Sequence, residues 1–100
     1  MKPGVTKLLE KAKHWYHLHI DVPKAIKKEL RDMSTEDVKN VSHDCKTAIS
    51  VLNVAENEGD RAGDKEIQGI TSSKDYAECK KILMRYSAMA SKEYQRRTKK

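Results

Sequence analysis

Apolar residues recur every three or four positions through most of this chain, a spacing that predicts α-helices. The pattern is clearest in the last quarter, where residues at 100° intervals place one apolar face along a single helix. That face consists of Tyr76, Cys79, Ile82, Leu83, Tyr86, Met89, Ala90 and Tyr94. No segment alternates apolar and polar residues as a half-buried strand does. The periodicity therefore predicts an all-α protein.

The first half of the chain divides into two shorter helices. The first is expected over about residues 4–20. Asp21 is a good N-cap for the second, and Pro23 falls in its first turn, where a missing N–H costs least. Val22, Ile26, Leu30 and Met33 would form its buried face.

Two longer helices complete a predicted bundle of three to four. Ser34 and Asp37 resemble a capping box, so the third helix is expected over about residues 35–57. The fourth is expected over about residues 73–96. Mostly antiparallel packing of such helices is typical of a small bundle.

The third helix carries a heptad-like apolar seam, whose members are Val38, Val41, Cys45, Ala48, Leu52 and Ala55. An intramolecular bundle and a homodimer would bury the same residues, and the pattern favours neither.

The length of 100 residues fits one domain, spanning 1–100. Residues 59–72 hold three glycines and several acidic side chains, and are expected to form an irregular acidic loop. Residues 97–100 are expected to be a basic, frayed tail.

Charge is distributed unevenly around a net value of +6. Residues 1–33 carry a net +4, residues 34–73 a net −4, and residues 74–100 a net +6. Such segments can neutralise one another within a bundle. Otherwise the excess favours nucleic acid or an acidic protein surface as a partner.

A strip of basic side chains runs beside the apolar face of the fourth helix. We call it the basic ladder, and its members are Lys74, Lys81, Arg85, Lys92, Arg96 and Lys99. Lys24, Lys28 and Arg31 of the second helix would extend it. Such a strip can follow the phosphates of a nucleic acid or face an acidic protein, and it can equally be a solvent-exposed face without a partner.

No catalytic, cofactor or metal motif stands out. His14 and His17 lie one turn apart, but His19 points towards the apolar side, so a third ligand is missing from the pair's face. On a helix the side chains of His43 and Cys45 point in different directions, and Cys45 lies on the apolar seam. Both features argue against Cys45 as a thiol nucleophile. The expectation is a protein without enzymatic activity, cofactor or metal.

The sequence therefore predicts a small regulatory protein that docks on a macromolecule, as an adaptor or inhibitor with a partner that has an acidic surface. Trp15, Tyr16, Tyr86 and Tyr94 are the candidate aromatic anchors. The alternative is binding of RNA or DNA with little sequence preference, through the basic face of the last helix. No signal peptide or apolar run of about 20 residues is present, so a cytoplasmic or nuclear location without a membrane is expected.

Overall fold

A computed structural model describes residues 3–58 and 73–99. All regular structure in them is helical, which confirms the predicted all-α bundle. The helices are α1 (Pro3–Leu18), α2 (Val22–Asp32), α3 (Thr35–Glu58) and α4 (Ser73–Thr98). The loop predicted at 59–72 lies outside the described residues.

α3 and α4 pack antiparallel and form the largest helix–helix interface. The hydroxyls of Ser42 and Ser91 lie 2.7 Å apart, and Lys80 Nζ donates to Asn53 Oδ1 at 3.0 Å. As the residue number rises from 42 to 53 on α3, it falls by the same amount on α4, which fixes the antiparallel register. The core between these two helices includes Cys45, Ala48, Leu52, Cys79, Leu83 and Ala90, all at most 1% exposed.

Both predicted helix starts are present. Asp21 Oδ1 accepts a hydrogen bond from Lys24 N at 3.2 Å, and Ser34 Oγ accepts one from Asp37 N at 3.1 Å. These side chains satisfy backbone donors that the first turn of a helix leaves without a partner. α1 ends at Leu18, two residues earlier than expected, because His19 has a left-handed φ of 53°.

Glu29 joins three helices beside the core. Its Oε2 accepts hydrogen bonds from Tyr86 Oη of α4 at 2.8 Å and from Lys11 Nζ of α1 at 2.9 Å. The Trp15 ring stacks on the Tyr86 ring with 5.9 Å between centroids, and Lys11 Nζ lies 5.8 Å from the centre of the Trp15 ring. α2 is thus held to α1 and α4 by one carboxylate.

A second attachment of α2 comes from the end of α4. Arg97 donates from Nη1 to the Met33 carbonyl at 2.7 Å and from Nη2 to the Leu30 carbonyl at 2.8 Å. These carbonyls lie at the C-terminal end of α2, where a helix lacks intrahelical donors. Arg97 and Thr98, which belong to the tail expected at 97–100, are helical in the structure, since α4 continues to Thr98.

Candidate functional site: a basic groove between two helices

α2 and α4 lie side by side and run in the same direction. Val22, at the start of α2, borders a hollow with Ile82 of α4, while Leu30 and Met33, at the other end, contact Arg97. Two open hollows of about 700 and 920 Å³ follow this line and share Met89 as part of their lining. We call these two adjoining hollows together the α2–α4 groove.

Eight basic side chains line the α2–α4 groove. Four come from α4 and four from α2: Lys81, Arg85, Lys92, Arg96, Lys24, Lys27, Lys28 and Arg31. The parallel packing of the two helices therefore joins most of the basic ladder to the basic face of α2. The predicted extension of the basic ladder omits Lys27, although this residue lies three residues after Lys24 and four before Arg31, on the same strip.

Two predicted members of the basic ladder do not contribute to the groove as described. Lys99 is exposed beyond the end of α4 and lines neither hollow. The side chain of Lys74 lies outside the part that the structure describes.

Glu93 is an acidic residue that lines the α2–α4 groove. It accepts hydrogen bonds from Arg96 Nε at 2.6 Å and Arg96 Nη2 at 2.9 Å, and from Arg97 Nε at 3.1 Å. The two hydrogen bonds from Arg96, with a smaller contribution from the one from Arg97, lower the pKa of Glu93 to about 2, although partial desolvation opposes this. Arg96 is thus the cation of the groove whose charge is most nearly balanced.

Weaker pairs involve two other cations of the groove. Lys81 Nζ lies 3.5 Å from Glu78 Oε1, and Arg31 Nε lies 3.9 Å from Asp32 Oδ1. Exposed pairs of this kind contribute little to stability and are readily exchanged for another anion.

For the remaining cations of the groove, the charged side-chain nitrogen has no carboxylate oxygen within 4 Å among the residues that the structure describes. These are Lys24, Lys27, Lys28, Arg85 and Lys92. These charges have no ion-pair partner within the described part of the chain and line the two adjoining hollows, so the groove is a site of positive potential.

The floor of the groove is apolar. It is formed by Val22, Leu30, Ile82, Met84, Ala88 and Met89. Met84 leaves 54% of its surface exposed, and Met89 is half-buried against the core. Flexible methionine side chains suit a surface that accommodates a partner.

Two of the four predicted aromatic anchors are not on the surface. Trp15 is 7% exposed and Tyr86 is 1% exposed, and their rings stack on each other inside the bundle. The chain has no Phe, so these rings are the bulky groups available to fill the interior. Neither can anchor a partner in this fold, whereas Tyr16 and Tyr94 are partly exposed.

A smaller hollow of about 280 Å³ lies on the other side of α4, between α4 and α3. It is lined in part by Lys39, His43, Lys46, Tyr94 and Gln95. No pattern in the sequence joins these α3 residues to the basic ladder, because only the antiparallel packing of α3 and α4 brings them together.

In the described part of the chain, no three His, Cys, Asp or Glu side chains converge as the ligands of a metal ion would. His14, His17 and His19 are exposed, and Tyr16 packs against two of them, with 5.2 Å between its ring centre and that of His17 and 6.4 Å to that of His19.

Both cysteines are buried free thiols. Desolvation, with a smaller contribution from Asp44, raises the pKa of Cys45 to about 12. Burial likewise raises the pKa of Cys79 to about 11. His43 is exposed while Cys45 is fully buried, so this histidine is not placed to deprotonate the thiol.

No family model matches the chain, and no curated protein or solved structure does either. Among the described helices, none has both the length and the apolar character that crossing a bilayer requires.

Proposed function

We propose that this protein is a non-enzymatic binding module that docks on a partner protein with an acidic surface, as an adaptor or inhibitor. The α2–α4 groove is the docking site. The observation that carries this proposal is the combination of an exposed apolar floor with unneutralised cations on both walls.

The apolar floor favours a protein over a nucleic acid. A protein partner gains affinity when apolar side chains leave water at the centre of an interface, while charges at the rim speed association and select the partner. The phosphate groups of a nucleic acid backbone have no apolar surface that could be buried against Met84 or Ala88.

Binding of a nucleic acid backbone is the second candidate. Lys39 and Lys46 on the far side of α4 favour it, because they widen the positive surface beyond the groove. The groove is also rich in lysine, which suits phosphate contacts more than base reading.

A photo-crosslinking amino acid at Ala88, an exposed floor residue, distinguishes the two candidates. The probe is placed in the full chain in cells, and the adducts are treated with nuclease. We expect adducts that survive this treatment. The same probe at Asn40, an exposed α3 residue outside the groove, is the control and should give no such adduct.

Adducts at Ala88 that nuclease removes would establish the nucleic acid candidate instead. Absorbance at 260 nm that accompanies the purified protein and is lost in high salt would agree with that result.

Charge reversal tests the role of the basic walls. The triple variant Lys81→Glu, Arg85→Glu, Lys92→Glu should keep the helical circular dichroism spectrum, because all three side chains are exposed. The Ala88 adduct should be lost at the same time. An unchanged adduct would mean that these cations are only a solvent-exposed face.

A further inference from the structure

We infer that the α2–α4 groove receives an amphipathic α-helix that carries acidic residues on both sides of an apolar stripe. This inference rests on the proposed function and specifies the partner's chemistry.

The conformation of the partner follows from what the groove can offer. Both walls are helices, whose interior N–H and C=O groups are already paired within each helix, so there is no open strand edge to which an extended peptide could add. A partner segment that lies on the apolar floor must satisfy its own backbone. An α-helix does so, and an extended segment does not.

The length of the groove sets the length of the helix. Its α4 wall runs from Lys81 to Arg96. At ~1.5 Å per residue this wall is about 22 Å long, which matches a helix of about 15 residues or four turns. Such a helix presents apolar residues at i, i+3, i+4 and i+7 as one continuous stripe.

The pattern of charge sets the flanks of that stripe. Lys24, Lys27 and Lys28 stand on one wall, and Arg85 and Lys92 stand on the other, and none of their charged nitrogens lies within 4 Å of a carboxylate oxygen of a described residue. A partner with Glu or Asp on both sides of its apolar stripe would neutralise both walls at once. The exposed Met84 side chain is the floor residue with most apolar surface left to bury.

The test uses designed peptides of about 16 residues and the full-length protein. The first peptide places Leu at i, i+3, i+4 and i+7 with Glu on both flanks. The second has the same composition, scrambled so that no apolar stripe forms. The third carries one central proline, which interrupts the helix. Fluorescence anisotropy gives the affinities, and circular dichroism gives the change in helicity on binding.

We expect the amphipathic peptide to bind at least ten times more tightly than the scrambled and proline peptides, with a gain in helicity. Equal affinity of the amphipathic and scrambled peptides would overturn the inference, because attraction would then depend on charge alone. Equal affinity of the amphipathic and proline peptides would also overturn the inference.

Matched variants locate the binding. Met84→Gln should weaken binding of the amphipathic peptide about tenfold, because Met84 lines the groove. Leu18→Gln should not weaken it, because Leu18 is equally exposed, at 54%, but does not line the groove. Lys92→Glu should weaken binding of the same peptide at least tenfold. Lys7→Glu makes an equal change of charge at an exposed position of α1 and should have a small effect on binding. If a variant and its matched control bind the peptide with equal affinity, the peptide binds elsewhere and the inference is overturned.

Other occupants give different results. If sedimentation equilibrium shows a dimer that Lys92→Glu dissociates, the groove is filled by a second copy and the inference is wrong. If the Ala88 adduct is a protein but the amphipathic peptide binds no better than the scrambled one, the proposed function stands and the helical partner does not. If that adduct is a nucleic acid, both are refuted.

Discussion

Arg97→Met should destabilise the protein far more than Arg96→Met, although the two arginines are adjacent on one helix. Both arginines are paired with Glu93, but Arg97 is 18% exposed and also donates to the carbonyls of Leu30 and Met33, while Arg96 is 72% exposed. Methionine keeps an unbranched stem and a similar helix propensity, so each variant removes the guanidinium and little else.

The magnitude follows from the two hydrogen bonds that Arg97 makes to α2. A hydrogen bond with a charged partner contributes about 1.5–3 kcal/mol, and water can reach part of this surface, so we expect a loss of about 2 kcal/mol in total. With a urea m-value of about 1.3 kcal/mol/M, the unfolding midpoint should fall by about 1.5 M. The midpoint of the Arg96 variant should stay close to that of the original protein.

Urea titration followed by circular dichroism at 222 nm measures both variants. Hydrogen exchange adds a local readout, since loss of the Arg97 contact should speed exchange in α2 before it affects α3. Equal midpoints for the two variants would refute the reasoning, because the attachment of α2 would then not depend on Arg97.

Further predictions concern the buried and paired groups. Tyr86→Phe removes the hydroxyl that donates to Glu29 but keeps the buried ring. Urea titration should therefore show a fall of about 1.5 kcal/mol in the free energy of unfolding. The raised pKa values of Cys45 and Cys79 keep both thiols protonated in the native state, so they should react with a thiol reagent at pH 8 only after denaturant is added. The unfolded chain ionises these thiols from about pH 8.5, so the free energy of unfolding should fall as pH rises above that value, by at most about 1.4 kcal/mol per pH unit for each thiol. The lowered pKa of Glu93 stabilises the fold above about pH 4.5 and ceases to do so as pH falls towards 2, so Glu93→Gln should make acid unfolding less steep.

Local signals in the sequence were sufficient for most of the helices. The N-caps at Asp21 and Ser34 act between residues three positions apart, so the sequence contains both partners of each interaction. The end of α1 was misplaced because the left-handed φ of His19 has no marker such as glycine or proline.

The candidate site was predicted in part. Helical periodicity alone placed Lys81, Arg85 and Lys92 on one strip of α4. It could not show that Lys27 of α2 lines the same groove, since that depends on how two helices separated by α3 pack together.

The sequence by itself determined the helical class, most of the helix boundaries and the strips of charge, because each depends on neighbours within one or two turns. Only the tertiary structure decided that Trp15 and Tyr86 lie inside the bundle, that Arg97 holds α2, and that the basic strips of α2 and α4 border one apolar groove. These outcomes depend on the direction and register in which helices pack. Contacts between residues as far apart as Leu30 and Arg97 set that register, and they leave no periodic signal in either segment.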